Sequence, residues 1–203
     1  MPIANIFIPR ILNKIRIETD YDEDDIDMMR YSLQAILWEL EKTIYLIIIF
    51  TFAGLGWHFF AAMIAVLTIR PNAGGFHSST VWGCFFWTLL GFFLALIALP
   101  HLIPTTNITI LAVAIFSIPI TYIASPLRSK QMERIADTSK DAHKKIKVTI
   151  ITCIWFVVLF FYAQHPLATP VLWIIFLQNL QLGIEHIKRK TEKPTTAKEN
   201  IKC

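Results

Sequence analysis

The sequence predicts an all-α, polytopic integral membrane protein with about six membrane-embedded helices, preceded by amphipathic N-terminal helices. Three observations carry this expectation. First, 55% of the 203 residues are hydrophobic and only 17% are charged, where soluble domains average about 25% charged. Second, the deficit is concentrated: Arg70 is the only charged side chain between Ile44 and Leu127, and none occurs from Val148 to Ile184. Segments that exclude charge over such lengths need apolar surroundings on every side, and lipid supplies them. Third, the basic residues behind the net charge of +4 gather in residues 128–147 and from Lys188 onward, as they do on the cytoplasmic flanks of membrane spans. The expected surroundings are therefore a lipid bilayer, and nucleic acid is not an expected partner.

The length suits one domain, 1–203, with an amphipathic N-terminal region at 1–42, membrane helices at 43–187 and a basic cytoplasmic tail at 188–203. No cleavable signal peptide is visible, since the first fully apolar run begins near Ile44. Within residues 1–17, Pro9 suits a first helical position; Ile8, Ile11, Leu12 and Ile15 fall on one side, and Arg10, Asn13, Lys14 and Arg16 on the other. That is the pattern of a helix lying in a membrane interface. An acidic run from Asp20 to Asp27 then reads as a solvated helix start. A second amphipathic stretch places Ile26, Met29, Leu33, Ile36, Leu37 and Leu40 at helical spacing.

The apolar run Ile44 to Ile69 fits one tilted helix or two short ones broken at Gly54-Leu55-Gly56. Parity favours the second. Later spans are expected at Trp82–Leu99, Ile108–Ala124, Val148–Tyr162 and Leu167–Ile184. With the basic segment 128–147 in the cytoplasm, counting back two spans puts the 70–81 loop there too, and Arg10, Lys14 and Arg16 draw the N-terminus to the same side. An even number of crossings must lie between them, so a hairpin is expected and the total is six. Pro100 to Pro104 and Gln164-His165-Pro166 are expected to end helices, because proline forfeits a backbone hydrogen bond.

Chemistry concentrates in the segment from Arg70 to Cys84, which holds Pro71, Gly74, Gly75, His77 and Ser78. A thiol is a useful nucleophile only as the thiolate, and a neighbouring imidazole is its usual base. On one helix His77 and Cys84 would share a face but stand roughly 10 Å apart along the axis. That exceeds the reach of about 3 Å needed for proton transfer, so a working pair requires residues 71–79 not to be helical throughout. Pro71 disfavours helix at Arg70, and Gly74-Gly75 tolerate positive φ. Ser78, Ser79 or Thr80 can cap a helix starting just ahead of Cys84. Cys84 would then occupy an early turn, where the helix dipole favours the thiolate. The bland alternative is an inert membrane cysteine, a surface histidine and a plain glycine turn.

This segment resembles the signature of the accessory gene regulator B family, bacterial membrane peptidases of peptide quorum sensing. That signature runs Arg, a few residues, Gly-Gly, one residue, His, six residues, Cys; Arg70, Gly74, Gly75, His77 and Cys84 match it position for position. The likeness extends to Tyr31-Ser-Leu before the first apolar run and to Ala124-Ser-Pro126 leading into the basic segment. Ser78 replaces the alanine that often follows the histidine, and Pro71 stands where a basic or aromatic residue is common.

The resemblance implies a cysteine endopeptidase with His77 and Cys84 catalytic, and with Arg70, Gly74, Gly75 and Ser78 supporting the site or holding substrate. The substrate would be a small propeptide with an acidic C-terminal tail, cleaved through a Cys84 thioester and cyclised to a thiolactone or lactone autoinducing peptide. The resemblance also implies a homodimer in the bacterial cell membrane, multi-pass, with the catalytic loop and both termini cytoplasmic. No cofactor is expected, and His58, His101, His165 and His186 are too scattered to suggest a metal. Glu39, Glu41 and Glu185 are candidate orienters of His77, and Gln178, Asn179 and Gln181 read as interhelical hydrogen-bonding groups. The rival readings are a small transporter or exporter subunit, disfavoured because no carboxylate lies within the spans, and a non-catalytic membrane interaction protein.

Overall fold

The computed structural model describes residues 8–9, 22–74, 81–127 and 138–199, and among them every named element is a helix. The chain forms two compact units, residues 1–54 and 55–203.

The first unit holds α1, Glu23–Phe52, 30 residues without a break. The expected amphipathic stretch and the start of the apolar run are thus one helix. Nothing in the sequence between Leu40 and Ile44 opposes helix, and Thr43 satisfies its hydroxyl on Glu39 O at 2.8 Å. Ile26, Met29, Leu33, Leu37 and Trp38 gather around Ile8, as the spacing predicts, whereas Ile36 and Leu40 point outward. The remaining residues of the expected 1–17 interface helix lie outside the described residues. α1 stops at Gly54, with φ +74°, after Ala53 N–H reaches Ile49 O and Gly54 N–H reaches Thr51 O. The glycine break in the Ile44–Ile69 run is where the sequence places it.

The second unit contains α2 (Gly56–Ala73), α3 (Val81–Phe93), a π-helical turn Leu94–Ala98 leading into α4 (Leu99–Leu102), α5 (Asn107–Ala124), α6 (Thr138–Phe161) and α7 (Ala168–Glu199). α7 is its centre, packed against α2, α3, the π turn, α5 and α6. Its stretch Val171-Leu172-Trp173-Ile174-Ile175 is buried on all sides, as expected of a helix apolar all round. Phe59 of α2 stacks on Phe92 of α3 with ring centroids 4.7 Å apart. Polar side chains tie the helices at two further points. Trp155 Nε1 of α6 donates to Thr68 Oγ1 of α2 at 2.9 Å, while Thr68 donates to Ala65 O. Thr121 Oγ1 of α5 donates to Asn179 Oδ1 of α7 at 2.5 Å, and Asn179 Nδ2 donates to Ile175 O at 3.0 Å.

Three helix boundaries differ from the sequence expectation. The helix carrying Cys84 does not end at Pro100 but continues to Leu102. The π turn explains this: Leu99 N–H bonds to Leu94 O, five residues back, so the ladder has already widened where Pro100 has no N–H to offer. α6 begins at Thr138, ten residues before Val148, because residues 138–147 ahead of the apolar run are themselves helical. α7 runs past Ile184 into the tail as far as Glu199, supported by an Arg189–Glu185 pair at 3.2 Å, four residues apart. The expected end at Gln164-His165-Pro166 is observed: α6 closes at Phe161, and turns are bonded from His165 N–H to Tyr162 O and from Ala168 N–H to His165 O.

Two stretches, Trp82–Leu102 and Asn107–Ala124, are long and apolar enough to cross a membrane, and only 17% and 33% of their apolar windows are buried inside the molecule. They are therefore not core helices of a water-soluble fold. Trp82, Phe86, Trp87, Ile108, Leu111 and Ile115 all stand exposed, a surface far more apolar than water tolerates and suited to lipid. The Thr121–Asn179 bond should hold α5 to α7: Asn179→Leu is expected to destabilise the protein by about 1 kcal/mol, read as a lowered midpoint of thermal unfolding in detergent.

Candidate active site

The geometry begins at the end of α2. Pro71 does not stop the helix at Arg70; α2 continues to Ala73. So close to the terminus proline forfeits one ladder bond only, and the turn still closes through Gly74 N–H to Arg70 O at 2.9 Å. The chain then leaves the helix at Gly74, whose φ of 78° and ψ of −165° lie in a region that is essentially glycine-only. A second constraint acts on the same residue. Gly74 pairs with Leu127, through Leu127 N–H to Ala73 O at 2.9 Å. A Cβ at Gly74 would stand 2.1 Å from Leu127 O and 2.8 Å from Leu127 C. Leu127, which follows Ala124-Ser125-Pro126, thus lies directly against the Gly74 turn.

Cys84 is the fourth residue of α3, in its first turn and half-buried; the expected capping residues Ser78, Ser79 and Thr80 lie outside the described residues. Thr88 Oγ1 donates back to Cys84 O at 2.8 Å. Trp82, Phe85 and Phe86 form an aromatic cluster around this turn, with centroids 5.7 to 6.5 Å apart. Aromatic clusters of this kind mark the boundary between lipid and headgroups.

Beside these residues lies a cavity of about 50 Å³ lined by Arg70, Gly74, Thr88, Gly91, Phe92 and Gln178, with Gln181 and apolar side chains of α2 and α7 completing it. Arg70 and Gly74, both expected at the site, are therefore brought together. Cys84 stands one turn above Thr88 on the stripe 84, 88, 91, 92 of α3, whose last three members line the cavity. Gly75, His77 and Ser78 lie outside the described residues.

The candidate orienting carboxylates have local partners. Glu39 pairs with Lys42 at 2.6 Å, Glu41 accepts from Tyr45 at 3.3 Å, and Glu185 pairs with Arg189. Of the basic segment, Lys145 caps the Tyr122 ring at 4.2 Å; residues 128–137 lie outside the described residues. Cys153 is half-buried in α6.

Thr88, Gly91 and Gln178 were not singled out as site residues from the sequence. A signal existed for Gln178: a carboxamide in a run free of charge from Val148 to Ile184 is costly there unless satisfied or used. Asn179 satisfies the interhelical role expected of that group, but Gln178 does not. Both its carboxamide atoms are buried and neither has a hydrogen-bond partner among the described residues.

Fold and site together define an all-helical protein with membrane-length apolar helices, carrying a cysteine at a helix start beside a small polar cavity. The family model for accessory gene regulator B matches residues 8–182, and the chain belongs to that family. It is 28% identical over 165 residues to an AgrB-like protein of Clostridium beijerinckii, covering 81% of this chain and 80% of that one. It is 22% identical over 179 residues to AgrB-like protein 1 of Clostridium perfringens (strain 13 / Type A), covering 87% and 94%. No solved structure matches.

The two positive-φ glycines give a paired prediction. Around Gly54 nothing lies within 4 Å of the Cβ position, so Gly54→Ala is expected to cost about 1 kcal/mol for its backbone conformation alone. Gly74→Ala adds collision with the Leu127 backbone and should cost more than about 3 kcal/mol. Parallel unfolding curves of the two variants in detergent measure the difference.

Proposed function

We propose that this protein is a multi-pass membrane cysteine endopeptidase that cleaves a small propeptide through a Cys84 acyl-enzyme and closes the product into a thiolactone or lactone ring. The observation that carries the reading is the position of Cys84 in the first turn of a membrane-length helix, one turn from a cavity shared by Arg70 and Gly74, in a chain of the accessory gene regulator B family.

In this reading His77 removes the Cys84 proton, and the thiolate attacks a carbonyl of the propeptide. The first-turn N–H groups of α3 face out of the helix end and are suited to hold the resulting oxyanion. Collapse expels the amine, protonated by His77, and leaves a thioester on Cys84. A cysteine thiol (or serine hydroxyl) within the bound peptide then attacks the thioester, closes the ring and returns the thiol to Cys84. Exchange of an amide for a thioester is uphill, so removal of a product drives the sequence. Water must be kept from the thioester, and the aromatic cluster of Trp82, Phe85 and Phe86 beside the lipid boundary serves that end. Arg70 is the group placed to meet an acidic substrate. The catalytic loop and both termini face the cytoplasm, all six helices α1, α2, α3–α4, α5, α6 and α7 associate with the membrane, and the protein acts as a homodimer in the bacterial cell membrane.

Co-expression with a short peptide of the expected kind, with an internal Cys or Ser and an acidic tail, tests this reading, and a reading frame for such a peptide beside the gene would supply it. Wild type should convert the peptide to a shortened, dehydrated ring seen by mass spectrometry. Cys84→Ala should abolish conversion, and His77→Ala should slow it by about a hundredfold or more. Cleavage persisting in both variants rejects the peptidase, and export of uncut peptide would establish the transporter instead.

A further inference from the structure

Ser117, Ser125, Trp173 and Gln178 each bury a polar atom that finds no partner among the described residues, and of these Gln178 is the one that lines the cavity. Gln178 lies on the central helix of the second unit, and its Oε1 and Nε2 are both removed from the surface without a partner among the described residues. Its neighbour Asn179 shows what a structural carboxamide does here, bonding across to Thr121 and back to Ile175. A buried unsatisfied donor and acceptor are retained at a stability cost. Gln178 lines the same cavity as Arg70, Thr88 and Gly91. The cavity exists partly because residue 91 is glycine: nothing lies within 4 Å of where its Cβ would be.

We propose that Gln178 is a substrate-binding residue that grips the main chain of the peptide on the acyl side of the scissile bond. This rests on the peptidase reading and deepens it. A carboxamide presents a donor beside an acceptor, the complement of one peptide group, which offers N–H and C=O whatever its side chain. The axial rise from Cys84 to Thr88 is about 6 Å, and an extended peptide advances about 3.3 Å per residue. The cavity therefore meets the peptide group about two residues from the carbonyl that Cys84 attacks. The acyl portion is the part that must stay bound while the ring closes, so a buried grip acts on both chemical steps there.

The test uses the full-length protein in detergent with Cys153→Ser and Cys203→Ser, so that Cys84 is the one thiol. Three reagents are compared: iodoacetamide, which has no peptide chain; acetyl-Ala-Ala-Ala chloromethyl ketone; and the same tripeptide N-methylated at the alanine two residues removed from the ketone-bearing one. With each reagent the Cys84 sulfur displaces halide and forms a thioether, followed by intact mass. Gln178→Leu should lower the rate with the tripeptide about tenfold and leave the iodoacetamide rate unchanged. N-methylation should slow wild type by a similar factor and Gln178→Leu not at all. Gly91→Val should reproduce the tripeptide defect from α3 without a lowered unfolding temperature.

Gln178→Leu and Gly91→Val that match wild type with every reagent would overturn the role of Gln178 while leaving the peptidase standing. A Cys84 that reacts with neither class of reagent, or that shows no preference for the tripeptide and no response to His77→Ala, would overturn the peptidase reading and this inference with it.

Discussion

The contact between the Gly74 backbone and that of Leu127 is the constraint on which the site depends. Leu127 N–H bonds to Ala73 O, and Leu127 O occupies the space of a side chain at Gly74. The end of α2 is thereby held to the segment after α5, although more than fifty residues separate them in sequence. α2 ends there, and Arg70, one turn before that end, lines the cavity. Residue 74 is glycine for two unrelated reasons, backbone conformation and absence of space, so either one alone would exclude a substitute.

Polar groups in an apolar unit must each be accounted for, because neither lipid nor a dry core hydrates them. Most are satisfied within one turn: Thr88 on Cys84 O, Thr149 on Lys145 O and Thr152 on Val148 O. Thr68 and Asn179 reach across to other helices and hold them. Ser117, Ser125 and Trp173 also keep a buried atom without a partner among the described residues, but Gln178 is the one of them that lines the cavity, beside Arg70 and Gly74.

The all-helical class was legible because charge is excluded over long runs, and the break at Gly54 because two glycines punctuate an otherwise apolar stretch. Cys84 falls in the first turn of its helix, where the sequence expects it. Where the reading missed, longer-range physics had intervened. Pro100 reads as a stop, yet the π turn before it removes the need for its N–H. Pro71 reads as a break at Arg70, but within the last turn of a helix it forfeits too little to matter. α6 and α7 extend beyond their apolar runs because basic and acidic residues are good helix formers outside lipid as well as within its reach. The cavity was not legible at all, since it joins α2, α3 and α7 across more than a hundred residues of sequence, and no periodicity encodes such a meeting.

In the proposed reading, reactivity and recognition fall on helices of opposite character. Cys84 belongs to α3, whose span is covered less by the protein than that of α5 and exposes Trp82, Phe86 and Trp87. Gln178 belongs to α7, the helix most enclosed by it. Positions on an enclosed helix are held by packing on every side, so a group there can discriminate among ligands by tenths of an ångström. Positions at the start of an outward helix are reached without disturbing the core, and their backbone donors are already oriented. A peptide arriving along the lipid boundary would meet the thiol on the accessible helix while its chain is read by the rigid one.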